Sequence, residues 1–170
     1  EDLILLSDLD EIPNPEVVLE LTKKKITKPH YFLMEWFLYW INNKVEKPWF
    51  GTVIFKFKTI KGNSLDNFRY ASSEINKVPG PIIPNGGWHF SYLGGKEAII
   101  NKLQSHPFQG YKVALAKLLD KLKIRKIENI LNKNKDIFFQ NRSFKKIEIK
   151  KTFPERILED KIFINKYFLN

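Results

Sequence analysis

Two carboxylates one residue apart, Asp8 and Asp10, follow the short apolar run Leu3-Ile4-Leu5-Leu6. On a loop leaving a sheet, carboxylates at this spacing can share one divalent cation. Hard cations such as Mg²⁺ and Mn²⁺ take oxygen ligands and often bridge to substrate phosphates. The carboxyl end of a sheet is also where α/β proteins collect ligands. A competing reading makes the same residues a charge cluster at a helix N-terminus, stabilised by the dipole. The apolar run just before them favours the metal.

A second block reads Gly86-Gly87-Trp88-His89. Paired glycines permit close backbone approach. His89 is a candidate metal ligand or proton-transfer group, against the plainer reading of a packed histidine in a strand. Ser105-His106-Pro107 offers another histidine, which also reads as a helix-ending turn punctuated by Pro107. Trp36, Trp40, Trp49 and Trp88 are of a type that stacks on sugar rings, although core packing is the default for each. The chain has no serine-hydrolase elbow, no Walker A loop and no HExxH zinc motif.

Composition narrows the partners. The 170 residues suffice for one domain with a core, and 43% are hydrophobic, so the chain is globular. Cysteine is absent, which excludes disulfides, thiolate catalysis and Cys-based zinc sites and tilts towards a reducing compartment. Net charge is +10. Arginine is confined to Arg69, Arg125, Arg142 and Arg156. A nucleic-acid reader would use more of its planar fork, so an anionic small substrate such as a nucleotide diphosphate fits the charge better. No apolar run reaches the ~20 residues of a membrane span.

These residues need elements to position them. Residues 3–6 have the length of a buried central strand. Asn14 and Pro15 read as an N-cap and first-turn proline opening a helix over 15–24, with Val17, Val18 and Leu21 inward. Residues 30–41 predict a long strand, 42–44 a turn and 51–58 the next strand. Ser64 caps a short helix over 65–71. A loop spans Pro79 to Gly87, followed by a strand over 88–93 and a helix over 96–104. Residues 110–170 read as mostly helical and Lys-rich, with short extended pieces at 138–139 and 144–149, a helix or turn from Pro154 and an apolar docking segment at 162–169. The order predicts a mixed α/β class in one domain over residues 1–170.

The blocks Ser7-Asp8-Leu9-Asp10-Glu11-Ile12-Pro13 and Asn85-Gly86-Gly87-Trp88-His89-Phe90-Ser91-Tyr92-Leu93-Gly94-Gly95, in this order, resemble glycosyltransferase family 17. Its best-known members are the β-1,4-mannosyl-glycoprotein β-1,4-N-acetylglucosaminyltransferases. The likeness runs more thinly through Glu97 to Ser105 and residues 154–168. It implies a GT-A-like fold whose nucleotide-binding half precedes this chain, with a helical C-terminal part. It also implies inverting transfer of a sugar, GlcNAc first among candidates, from a UDP-GlcNAc-like donor to a glycan acceptor. By position, Asp8 and Asp10 match the family's metal-binding D-x-D, for Mn²⁺ or Mg²⁺, with Asp10 the closer ligand. Gly86, Gly87 and Trp88 fall in a substrate-binding block. Many GT-A enzymes carry an acidic base just after the helix that follows the late strand. Here that region reads Gln104 to Gln109 and holds no carboxylate. His89, His106, Glu11 and Glu97 are then the candidate proton-transfer groups. The second expectation is a relative that binds nucleotide sugar or carbohydrate without turnover. The compartment stays open: cytoplasmic for a bacterial or viral member, Golgi membrane for a eukaryotic-type member with an upstream anchor.

Overall fold

The computed structural model describes residues 2–62, 64–70, 78–105, 129–131, 133–137, 142–149 and 153–169. The strands are β1 (Leu3–Leu6), β2 (Glu11–Pro13), β3 (His30–Leu38), β4 (Asn43–Val45), β5 (Trp49–Lys56), β6 (Ile82–Ser91) and β7 (Phe144–Lys146). The helices are α1 (Pro15–Thr22), α2 (Leu65–Tyr70), α3 (Gly95–Ser105), α4 (Glu155–Glu159) and α5 (Lys161–Tyr167), with a 3-10 turn over Phe57–Ile60. The class is mixed α/β. The chain divides into two compact units, Glu1–Trp36 with Pro48–His89, and Phe37–Lys47 with Phe90–Asn170.

The first unit is built on β5, which pairs antiparallel with β1 on one side and β3 on the other. Side chains alternate across such strands, and both faces are apolar. Phe32, Met34 and Ile54 face one way and pack with Leu21 and Ile26, joined by Leu3, Val17 and Val18. Tyr31, Val53 and Phe55 face the other way with Phe68 of α2, joined by Ile4, Leu6 and Ile60. The sheet therefore lies between α1 and α2. Each fully buried large side chain contributes about 1.5–3 kcal/mol.

β1 differs from the central strand read from its sequence. Among the described residues it pairs with β5 alone, and Leu5 is 40% exposed. Its length and hydrophobicity are satisfied by covering two faces, without a second neighbour.

β6 also differs from expectation, beginning at Ile82 rather than near residue 88. Proline and paired glycines read as loop, yet here glycine is what lets the strand in. A Cβ on Gly86 would lie 2.6 Å from Phe32 Cβ, and one on Gly87 would lie 2.1 Å from the Ile12 carbonyl oxygen. β6 is thus wedged against β3 on one side and β2 on the other. Tyr31 N–H donates to the Pro81 carbonyl and Tyr39 N–H to the Ser91 carbonyl. β6 therefore runs in the direction of β3, which makes the sheet mixed.

In the second unit Phe37 pairs with Lys44 of β4, and β4 pairs antiparallel with β7. The turn predicted at 42–44 falls earlier: Tyr39 adopts a left-handed backbone (φ 70) and reverses the chain, and Asn43 already opens β4. Phe37, Phe90 and Phe153 form an aromatic cluster, with Phe37 and Phe90 stacked at 5.1 Å. Asn42 exchanges two hydrogen bonds with Leu169, donating from Nδ2 at 3.0 Å and accepting at Oδ1 at 2.8 Å. Those bonds dock the apolar C-terminal segment, which is helical over Lys161–Tyr167. The extended piece expected at 144–149 is the strand β7, whereas the helical expectation for 110–128 and the strand at 138–139 lie outside the described residues. No helix among the described residues is long and apolar enough to cross a membrane.

Candidate functional site

The acidic block sits on the turn between β1 and β2, inside the first unit. β2 separates it from α1, whose N-cap is Asn14. Asp8 and Asp10 are therefore not a helix-start charge cluster.

The register places the site. Leu6 is opposite Val53, so the next residue out, Ser7, meets Thr52, and their hydroxyls lie 2.7 Å apart. Across β2 and β6, Glu11 is opposite His89. The two blocks read separately from the sequence meet there: His89 Nδ1 lies 3.7 Å from Asp10 Oδ1 and 3.9 Å from Glu11 Oε1.

Glu11 is the hub of this turn, with a side chain only 4% exposed. Its Oε1 accepts from Trp49 Nε1 at 2.6 Å. Its Oε2 accepts from the Asp8 N–H at 3.1 Å, from the Thr52 hydroxyl at 3.3 Å and from the Ser7 hydroxyl at 3.4 Å. The Glu11 N–H returns a bond to the Asp8 carbonyl at 3.1 Å, closing the turn. Burial pushes the Glu11 carboxyl up from its ordinary pKa and the Asp8 charge adds to this, while the bonds from Trp49, Asp8 N–H and Thr52 pull it back. A carboxylate holding so many donors clamps the turn.

Room for that carboxylate comes from Gly51. A Cβ there would lie 2.7 Å from both Glu11 Oε1 and Met34 Sδ. Trp49 carries a second duty: its ring stacks on His89 with centroids 4.4 Å apart and planes 9° from parallel. Trp36 flanks both rings, 5.1 Å from Trp49 and 6.1 Å from His89. The imidazole is thus held by aromatic faces with Nδ1 towards the acids.

Asp8 and Asp10 keep side chains 38% and 26% exposed. Asp8 Oδ1 pairs with Arg69 Nη2, from α2. A pair this exposed contributes at most about 1 kcal/mol. The Asp8 hydrogen bond holds the guanidinium charged against partial burial, and the charges of Asp8, Glu11 and Asp66 reinforce it.

Asp10 is the accessible carboxylate beside the imidazole, and Asp8 is paired with Arg69. Among the described residues no group of three or more His, Cys, Asp or Glu side chains is arranged to hold a metal ion.

Gly86 and Gly87 serve close strand packing through their missing side chains. Trp88 is buried, 7% exposed. Glu97 lies in the first turn of α3, in the second unit, and His106 lies outside the described residues. Sequence reasoning passed over Arg69, Thr52 and Gly51. One signal existed for Arg69: in a chain whose cations are almost all lysine, an arginine marks a place where the planar fork matters. Thr52 and Gly51 carry no such mark, since only the strand register reveals them. Comparison of the chain with family models, curated proteins and solved structures gives no match.

Proposed function

We propose that this chain is a GT-A-like, inverting glycosyltransferase whose acidic block binds the metal. It moves a sugar, GlcNAc first among candidates, from a nucleotide-diphosphate donor to a glycan hydroxyl with the help of Mn²⁺ or Mg²⁺. The observation that carries the reading is the meeting of Asp10 with His89 at 3.7 Å, two motifs far apart in the chain. The resemblance of both blocks to glycosyltransferase family 17 supplies the reaction. Asp8 and Asp10 would hold the cation, which stabilises the charge that develops on the leaving diphosphate. His89, stacked on Trp49 with Nδ1 3.7 Å from Asp10, would be the proton-transfer group. Glu11, buried and committed to its donors, supports the turn instead.

Titration calorimetry of the protein with UDP-GlcNAc, with and without Mn²⁺, tests this. Binding should require the metal, and Asp10→Asn should abolish that binding while leaving the melting temperature unchanged. Transfer by Asp10→Asn at the parent rate would remove the metal assignment.

The commitment of Glu11 to four donors also favours a second reading, a relative that binds nucleotide sugar without turnover. In that case metal-dependent binding persists and no sugar is released or transferred.

A further inference from the structure

An imidazole needs more than a backbone to hold its plane. The second side-chain torsion of histidine is broad and roughly two-fold. The register that sets Glu11 opposite His89 therefore fixes the backbone and not the ring. Trp49 supplies the further constraint. It opens β5, whereas His89 lies in β6, and both strands pair with β3 and not with each other. Their contact is made by the rings, with centroids 4.4 Å apart and planes 9° from parallel. At that separation a turned imidazole would drive its edge into the indole face, since carbon atoms need about 3.5 Å. Trp36, tilted by 53°, does not share that plane.

The indole has the same soft torsion, and Glu11 locks it. Glu11 Oε1 accepts from Trp49 Nε1 at 2.6 Å, as short as a charge-assisted bond. The same oxygen lies 3.9 Å from His89 Nδ1, beyond hydrogen-bond distance. The other oxygen, Oε2, is held by the Asp8 N–H and the Thr52 hydroxyl, so the carboxylate is itself fixed. Resting on the reading of His89 as the proton-transfer group, we propose that Trp49 and Glu11 are its positioning residues. Glu11 anchors the indole N–H, the indole face sets the imidazole plane, and that plane holds Nδ1 3.7 Å from Asp10.

NMR of the His89 ring protons, recorded without added metal, reads this placement apart from any activity. The indole ring current should displace those signals upfield of their random-coil positions, with His89→Gln identifying them. Trp49→Phe keeps an aromatic face and loses the anchor, so the displacement should shrink. Glu11→Ala should shrink it too, and should move the Trp49 indole N–H signal upfield as its bond is lost. His89 signals at random-coil positions in the parent overturn the proposal, as do signals that either variant leaves in place. Turnover of UDP-GlcNAc with Mn²⁺ then tests the link to chemistry. A misplacement of about 1 Å costs about a hundredfold in rate, and Trp49→Phe should lose about tenfold in kcat with KM little changed. In a His89→Gln background the same substitution should cost nothing further, because residues that act as a unit are not additive. Additive losses would mean that Trp49 serves the fold alone, and would overturn the positioning role. No turnover by the parent, with the upfield displacement present, defeats the catalytic reading of His89 and leaves the placement of its ring standing.

Discussion

Gly51 shows how a site can depend on an atom that is missing. It occupies β5 between Phe50 and Thr52, where a side chain would be expected to pack, and its open face is filled by the Glu11 carboxylate. Gly51→Ala should therefore cost about 1–3 kcal/mol through overpacking. Glu11→Ala should also destabilise, since it strips the acceptors from Trp49 Nε1 and the Asp8 N–H and leaves buried donors at about 1–3 kcal/mol. The two losses should not add, because the truncated Glu11 vacates part of the space the new methyl needs, the other part being held by Met34 Sδ. Urea unfolding of both single variants and the double variant should give a coupling of about 1 kcal/mol favouring the double. A coupling near zero would mean the two positions do not share that space.

At the scale of elements, Asn14 joins three pieces of chain. Its Oδ1 accepts from the Glu16 N–H at 3.1 Å and caps α1. Its Nδ2 donates to the Asn85 carbonyl at 3.2 Å, and its N–H donates to the Gly86 carbonyl at 2.8 Å. Replacing an N-cap by alanine costs about 0.5–2 kcal/mol. As caps alone, Asp and Asn are equivalent, but Asp lacks the amide that reaches Asn85. Thermal unfolding should therefore rank the parent above Asn14→Asp and Asn14→Ala lowest, and parity between Asn14→Asp and the parent would restrict Asn14 to capping. The cap itself was legible, because Asn-Pro before an apolar helical face is a local pattern with a local cause. The rest of this junction was not. Pro84, Gly86 and Gly87 carry loop propensity, and only the backbones of β2 and β3 on either side turn them into strand. The acidic and Trp-His blocks were likewise legible as candidates. Their meeting depends on the Glu11–His89 register, a contact too distant in the chain for local pattern to fix. The same holds for the Tyr39 reversal, where a left-handed non-glycine is held by its neighbours and not by its own preference.

For the whole molecule, charge and burial act at different ranges. The net charge of +10 comes almost wholly from lysine, and it raises the local concentration of anions without selecting among them. Buried groups instead tie folding to pH. In the second unit Tyr39 donates to Asp136 Oδ1 at 3.1 Å and accepts from the Ile137 N–H at 3.2 Å, and Arg142 donates to the same Asp136 oxygen at 3.1 Å. Burial, reinforced by the Asp136 charge, pushes the Tyr39 phenol well above its ordinary pKa of 10.0, while the Ile137 bond and the Arg142 charge oppose this only in part. Above that ordinary value the unfolded chain releases the phenolic proton and the folded chain keeps it. The folded state then binds more protons, so stability is intact below about pH 10 and falls as pH rises further, at up to ~1.4 kcal/mol per unit for one group. Lysine deprotonation acts over the same range, so the informative quantity is a difference between proteins. Tyr39→Phe loses two hydrogen bonds at every pH, which lowers the whole curve, but it removes this group's slope. Urea unfolding at about pH 9 and pH 11 should show the parent losing ~1.4 kcal/mol more than Tyr39→Phe over the interval. Parallel curves would mean that the Tyr39 phenol ionises in the folded protein as readily as in the unfolded chain.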